Sequence, residues 1–96
     1  GRQSQALQAG LQQIDAEFNV FSQVRGRGLM LGAVLNADHA GQAGVMLDHA
    51  AAQGLLILQA GPDVLRFVPA LNITDEELAE GLTRLRAAIQ SYLAAR

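Results

Sequence analysis

An arginine stands inside an otherwise apolar, strand-like run at residues 64–68, Val64-Leu65-Arg66-Phe67-Val68. A guanidinium stays charged at any physiological pH and presents its donors as a planar fork that matches a carboxylate or a phosphate. On a strand, that fork can grip an anion through two parallel hydrogen bonds from a rigid base. It can also simply pair with a neighbouring carboxylate, for which Asp63 and Asp75 are the candidates. Little else in the chain offers chemistry. All seven basic residues are arginines, at positions 2, 25, 27, 66, 84, 86 and 96. With no lysine, the chain alone cannot form a Schiff base. With no cysteine, it has no disulfide framework, thiolate metal site or sulfur nucleophile. His39 and His49 lack acidic partners at metal-ligand spacing and read as surface or helix-face residues, so no metal site is expected. Gly26-Arg27-Gly28 has the composition of a phosphate-cradling loop, but it precedes a strand rather than a helix and so fails the context such a loop needs.

The frame that must carry Arg66 is small. Ninety-six residues, half of them apolar, make a single domain spanning residues 1–96. Folding at this size buries roughly 60–70% of the unfolded surface. A net charge of −2 leaves no electrostatic footprint for nucleic acid. No apolar run is long enough to span a membrane, and no signal peptide is visible, so the expected location is the cytoplasm.

Leu7, Leu11, Ile14 and Phe18 recur at helical steps, which predicts a first helix from an N-cap at Ser4 to a stop near Asn19. Residues 29–35 are short and apolar and read as a strand, with Gly28 and Gly32 marking a bend or a close backbone approach. An alanine-rich helix follows, capped by Asp38, with Met46, Leu47, Ala50 and Ala51 facing inward and Gly54 just past its end. Strands over 55–59 and 64–68 flank the turn Ala60-Gly61-Pro62-Asp63, and Pro69 ends the second of them. The last helix has the clearest start. Thr74 and Glu77 form a capping box, Ile73 and Leu78 a hydrophobic staple, and Asp75, Glu76 and Glu77 suit the positive end of the helix dipole. Its buried stripe is Leu78, Leu82, Leu85, Ile89 and Leu93.

The order is helix-strand-helix-strand-strand-helix. The fold class is α/β, a two-layer α+β arrangement with a three-stranded, mainly antiparallel sheet and the helices packed on one face. A right-handed crossover makes the first two strands parallel, and the hairpin makes the third antiparallel to the second. Inserting the third strand between the others makes every neighbouring pair antiparallel and puts Arg66 on the central strand. Alternation points Leu65 and Phe67 toward the core, and Val64, Arg66 and Val68 toward the opposite face. That opposite face is apolar as well, unlike a sheet that meets water on one side. Either the helices divide between the two faces, or something outside this chain covers one of them.

Two stretches carry a family resemblance. Residues 24–32, VRGRGLMLG, with residues 60–78, AGPDVLRFVPALNITDEEL, resemble the C-terminal small domain of class III pyridoxal-phosphate aminotransferases, and most closely the acetylornithine and succinylornithine aminotransferases. Residues 34–43, VLNADHAGQA, resemble the succinylornithine branch in particular. The resemblance covers essentially the whole chain. It implies a homodimeric enzyme of arginine metabolism that moves the δ-amino group of N-succinylornithine or N-acetylornithine to 2-oxoglutarate. It implies that Arg66 grips the substrate carboxylate. It also implies that pyridoxal 5′-phosphate is bound by a large domain of the same polypeptide that this chain lacks, leaving the 96 residues inactive alone. Ala70 departs from the serine or proline usual after Pro69. Arg25 lies within the first motif, where an ion pair to the large domain and an active-site role are equally open. The competing reading is an autonomous carboxylate-binding, regulatory or dimerisation module.

Overall fold

The computed structural model describes residues 2–27, 30–68 and 72–96. Its elements are α1 (Arg2–Phe18), β1 (Phe21–Arg27), β2 (Met30–Leu35), a 3-10 turn (Ala37–His39), α2 (Ala43–Ala52), β3 (Leu58–Gln59), β4 (Val64–Phe67) and α3 (Asp75–Ala94). The sheet has four strands in the order β1-β2-β4-β3, and every neighbouring pair is antiparallel.

The expected insertion of the last strand between the two before it is realised: β4 lies between β2 and β3. The expected count of three strands is corrected to four by β1. A bulge concealed that strand. Phe21 pairs with Leu35 and Val24 with Ala33, both on the core face, yet they stand three residues apart in sequence because the register shifts between Phe21 and Gln23. An extra residue breaks the period of two by which a half-buried strand is read. Residues 55–59 also shorten, with only Leu58 and Gln59 joining the ladder.

The first two helices differ from expectation at their starts and agree at their ends. Ser4 does not cap α1; it lies inside the helix and is buried. Asn19 does end it, in the left-handed region at φ 53°. Asp15 fastens this corner, its Oδ1 accepting the N–H groups of Val20 and Phe21 at 2.8 and 2.7 Å. Asp38 does not cap α2 either. Asn36 accepts the Asp38 N–H at 3.2 Å and caps the 3-10 turn, while α2 begins only at Ala43. In α2, Met46 and Ala50 are buried and Leu47 is half-buried, whereas Ala51 is exposed rather than inward. Gly54 closes α2 as expected. At φ +77° it donates to the Ala51 carbonyl, and Leu55 donates to that of Ala50, the paired bonds of a Schellman end.

The capping box of α3 is present in both directions, with Thr74 N–H to Glu77 Oε1 and Glu77 N–H to Thr74 Oγ1 each at 3.0 Å. These bonds hold the Glu77 carboxyl below its usual range. Leu78, Leu85 and Ile89 of the expected stripe are buried, Leu82 and Leu93 pack against the same core from partly buried positions, and Tyr92 joins them. The expected strand start at residue 29, the bend at Gly28, the stop at Pro69 and the departure at Ala70 lie outside the described residues.

One layer of helices covers one face of the sheet. Leu31, Ala33 and Leu35 of β2 and Leu65 of β4 form a single core with Leu7, Leu11 and Ile14 of α1, Met46 of α2 and the α3 stripe. Leu11, Leu31, Leu65 and Ile89 are among the largest fully buried side chains.

His39 corrects the reading of a surface histidine. It is 4% exposed, and its Nδ1 lies 2.8 Å from the Tyr92 hydroxyl and 3.2 Å from Arg96 Nη1. A guanidinium can only donate, so Nδ1 accepts and the imidazole is neutral with its proton on Nε2. Burial, and then the Arg96 charge, push its pKa down from 6.5, opposed only by Asp38. The folded chain therefore takes up this proton less readily than the unfolded chain. The stability contributed here is complete above about pH 6.5 and is lost as pH falls through the lowered folded value. Thermal melts between about pH 7 and about pH 5 are expected to show a downward slope that is shallower in His39→Gln. Equal slopes in the two proteins would refute this. His49 is half-buried and meets Ser91 Oγ at 3.0 Å. Among the described residues no cluster of acidic and imidazole side chains suits a metal, and no helix is long and apolar enough to cross a membrane.

Candidate functional site

Among the described residues no helix covers the face of the sheet opposite the core. Strand pairing places Arg25 of β1 beside Gly32 of β2, and Gly32 beside Arg66 of β4. The three residues form one row across three neighbouring strands, with the two arginine side chains on the open face. Leu58 of β3 continues the row beyond Arg66. Arg66 therefore stands where alternation puts it, exposed and outside the core, directly after fully buried Leu65.

Neither carboxylate considered for Arg66 holds it. Asp63 instead accepts the Gly41 N–H at 2.6 Å. Among the described residues the guanidinium of Arg66 makes no hydrogen bond or ion pair, and neither does that of Arg25. The guanidiniums of α3 and of Arg96 just beyond it are all engaged. Arg84 bonds Glu80 Oε1 at 3.1 Å and the Gly54 carbonyl at 3.2 Å. Arg86 pairs with Glu17, and Arg96 binds His39 and the Asp38 carbonyl. Arg25 and Arg66 are thus set apart from Arg84, Arg86 and Arg96, since their guanidiniums hold nothing among the described residues.

Between them lies a shallow depression of about 450 Å³, lined by Arg25, Gly26, Met30, Gly32, Val64 and Arg66. Its floor is Gly32. A Cβ there would meet Val64 Cγ1 at 3.6 Å and the Arg25 carbonyl at 3.8 Å, which are ordinary contacts. The ladder runs in register through Gly32 on both sides, so no bend arises there. What the glycine provides is open space above the backbone between two cationic forks. Such an arrangement can take a carboxylate or a phosphate through charge-assisted hydrogen bonds.

Apolar side chains share the rest of the open face with exposed Gln23, which pairs with Val34. Met30 is 48% and Leu58 58% exposed there, while the exposed Leu56 and Val68 line a separate pocket with Leu7 of α1 and Leu78 and Leu82 of α3. The helices pack on one face, so the expectation that they might divide between the two faces is not met. Sequence reasoning placed Arg66 correctly. It could not pair Arg25 with Gly32, because the strand that carries Arg25 was hidden by its bulge.

The family model for aminotransferase class-III matches residues 1–89. An acetylornithine aminotransferase of Xanthomonas campestris pv. campestris is 73% identical over 93 residues, covering 97% of this chain and 23% of that protein. A succinylornithine transaminase of Yersinia enterocolitica is 47% identical over 81 residues, covering 84% of this chain and 20% of its own length. The crystal structure of N-acetylornithine aminotransferase from Stenotrophomonas maltophilia K279a superposes with a TM-score of 0.97 at 75% identity, over 99% of this chain and 26% of that one. The chain thus spans about a quarter of the length of the relatives it matches. On the match of all but its last seven residues to the family model, the chain belongs to the class-III aminotransferase family.

Proposed function

We propose that these 96 residues are the C-terminal small domain of an acylornithine aminotransferase, and that Arg66 binds a carboxylate of its substrates. The observation that carries this reading is the position of Arg66: exposed on a central strand, without a partner among the described residues, at the edge of an open depression. The reaction is transfer of the δ-amino group of N-acetylornithine or N-succinylornithine to 2-oxoglutarate. The acetyl derivative is favoured, since the relatives named for it reach 73% identity against 50% for those named for the succinyl derivative.

In this reading the apolar open face is the surface on which the large domain of the same polypeptide sits. Pyridoxal phosphate does not fit the residues of this chain. An imine to it requires a lysine, and the sequence has none. The cofactor therefore belongs to the large domain, and this chain contributes to substrate binding only. A homodimeric, cytoplasmic enzyme completes the proposal.

The test is made on the full-length polypeptide, purified and given 2-oxoglutarate with each acylornithine in turn. Glutamate is expected to form with at least one of them, faster with the acetyl derivative. If neither yields glutamate, the reading fails.

A further inference from the structure

We infer that Arg25 is a second substrate-binding residue, and that Arg25 and Arg66 close over Gly32 on one and the same anionic group. This rests on the proposed role of Arg66 and assigns to that site a residue and a shape that the role alone does not require.

The row Arg25–Gly32–Arg66 fixes the geometry. Neighbouring strands lie roughly 4.7–4.9 Å apart, so the backbones of the two arginines are about 10 Å apart across the glycine. An extended arginine reaches about 6 Å, more than half of that gap, so both forks can meet above the middle strand. At that meeting point the floor carries no side chain. A carboxylate has about four lone-pair sites on its two oxygens, enough to accept a bidentate pair from one guanidinium and a further bond from the other. Val64 and Met30 border the depression with apolar side chains that compete for neither guanidinium.

The charge pattern supports a ligand here. Two like charges facing one depression, with no acidic side chain lining it, repel each other in the empty site. An anion between them relieves that repulsion as well as forming its own bonds. The alternative is that Arg25 is neutralised by a carboxylate of the large domain and has no share in substrate binding. The two readings differ in what the loss of Arg25 changes.

The experiment uses the full-length enzyme and four variants, Arg25→Gln, Arg25→Lys, Gly32→Val and Arg66→Leu. It measures kcat and KM for 2-oxoglutarate and for N-acetylornithine, together with melting temperature. Arg25→Gln is expected to raise KM for a carboxylate substrate roughly ten- to a hundredfold, with little change in melting temperature. Gly32→Val is expected to do the same by filling the floor, because the Cβ itself is tolerated and valine suits a strand. Arg25→Lys is expected to recover only part of the loss. If Arg25→Gln lowers the melting temperature and leaves every KM unchanged, Arg25 is a structural ion pair and the inference falls while the role of Arg66 stands. If Arg66→Leu also leaves every KM unchanged, the open face is not the substrate site and both fall together.

Discussion

Replacing Arg66 by leucine in the full-length enzyme is expected to lower kcat/KM for its carboxylate substrates by roughly a hundred- to ten-thousandfold. The change removes two charge-assisted hydrogen bonds, each worth about 1.5–3 kcal/mol. Arg66→Lys keeps the charge but cannot make the fork, so it is expected to recover only part of the loss. Stability should hardly move. Arg66 is exposed and has no partner among the described residues, so its removal strands no buried group, and exposed substitutions of this kind usually stay within about 0.5 kcal/mol. The informative measurement is therefore double: steady-state kinetics and thermal melting on the same variant. An enzyme that turns over normally but melts early would make Arg66 a structural residue.

One position earlier the expectation reverses. Leu65 is fully buried on the helix-facing side of the same strand, in the core shared by all three helices. Leu65→Ala removes apolar contacts and leaves a cavity that rigid neighbours on a central strand cannot fill. The expected loss is about 2–5 kcal/mol, a large share of the roughly 5–15 kcal/mol that holds a domain together. Urea unfolding of the 96-residue chain should show it as a lower midpoint with an unchanged slope. A midpoint shifted by less than about 1 kcal/mol equivalent would mean that the core closes around the gap.

How legible these features were in the sequence depended on how local their causes are. The α3 start is written in four consecutive residues, Thr74 to Glu77, and both hydrogen bonds of its box are present. The end of α2 is set by Gly54, whose positive φ suits glycine. The central place of β4 followed from the crossover and the hairpin, and the outward direction of Arg66 from simple alternation. Where causes are longer in range, the reading failed. The bulge after Phe21 compensates its own break in period only through pairing with Leu35 and Ala33 on another strand. Losing β1 cost the sequence reading half of the candidate site, because Arg25 becomes a neighbour of Arg66 only through that strand. The buried state of His39 depends on Tyr92, 53 residues away, and no local pattern announces it. Ser4 offered a good cap type but sits inside the helix, a case of tertiary burial overriding a local preference.

The order β1-β2-β4-β3 makes the sheet two hairpins laid side by side, and the two open-face arginines belong to different hairpins. The β1–β2 ladder and the seam between β2 and β4 together set the distance between them, and the seam is what joins the two hairpins. That seam behaves like the sliding scale of a vernier. A slip of two residues along it keeps every side chain on its own face, since the period is two, but it carries one guanidinium about 7 Å past the other. The charge spacing of such a face can therefore be reset in discrete steps by a change of register at that seam, with every side chain keeping its own face.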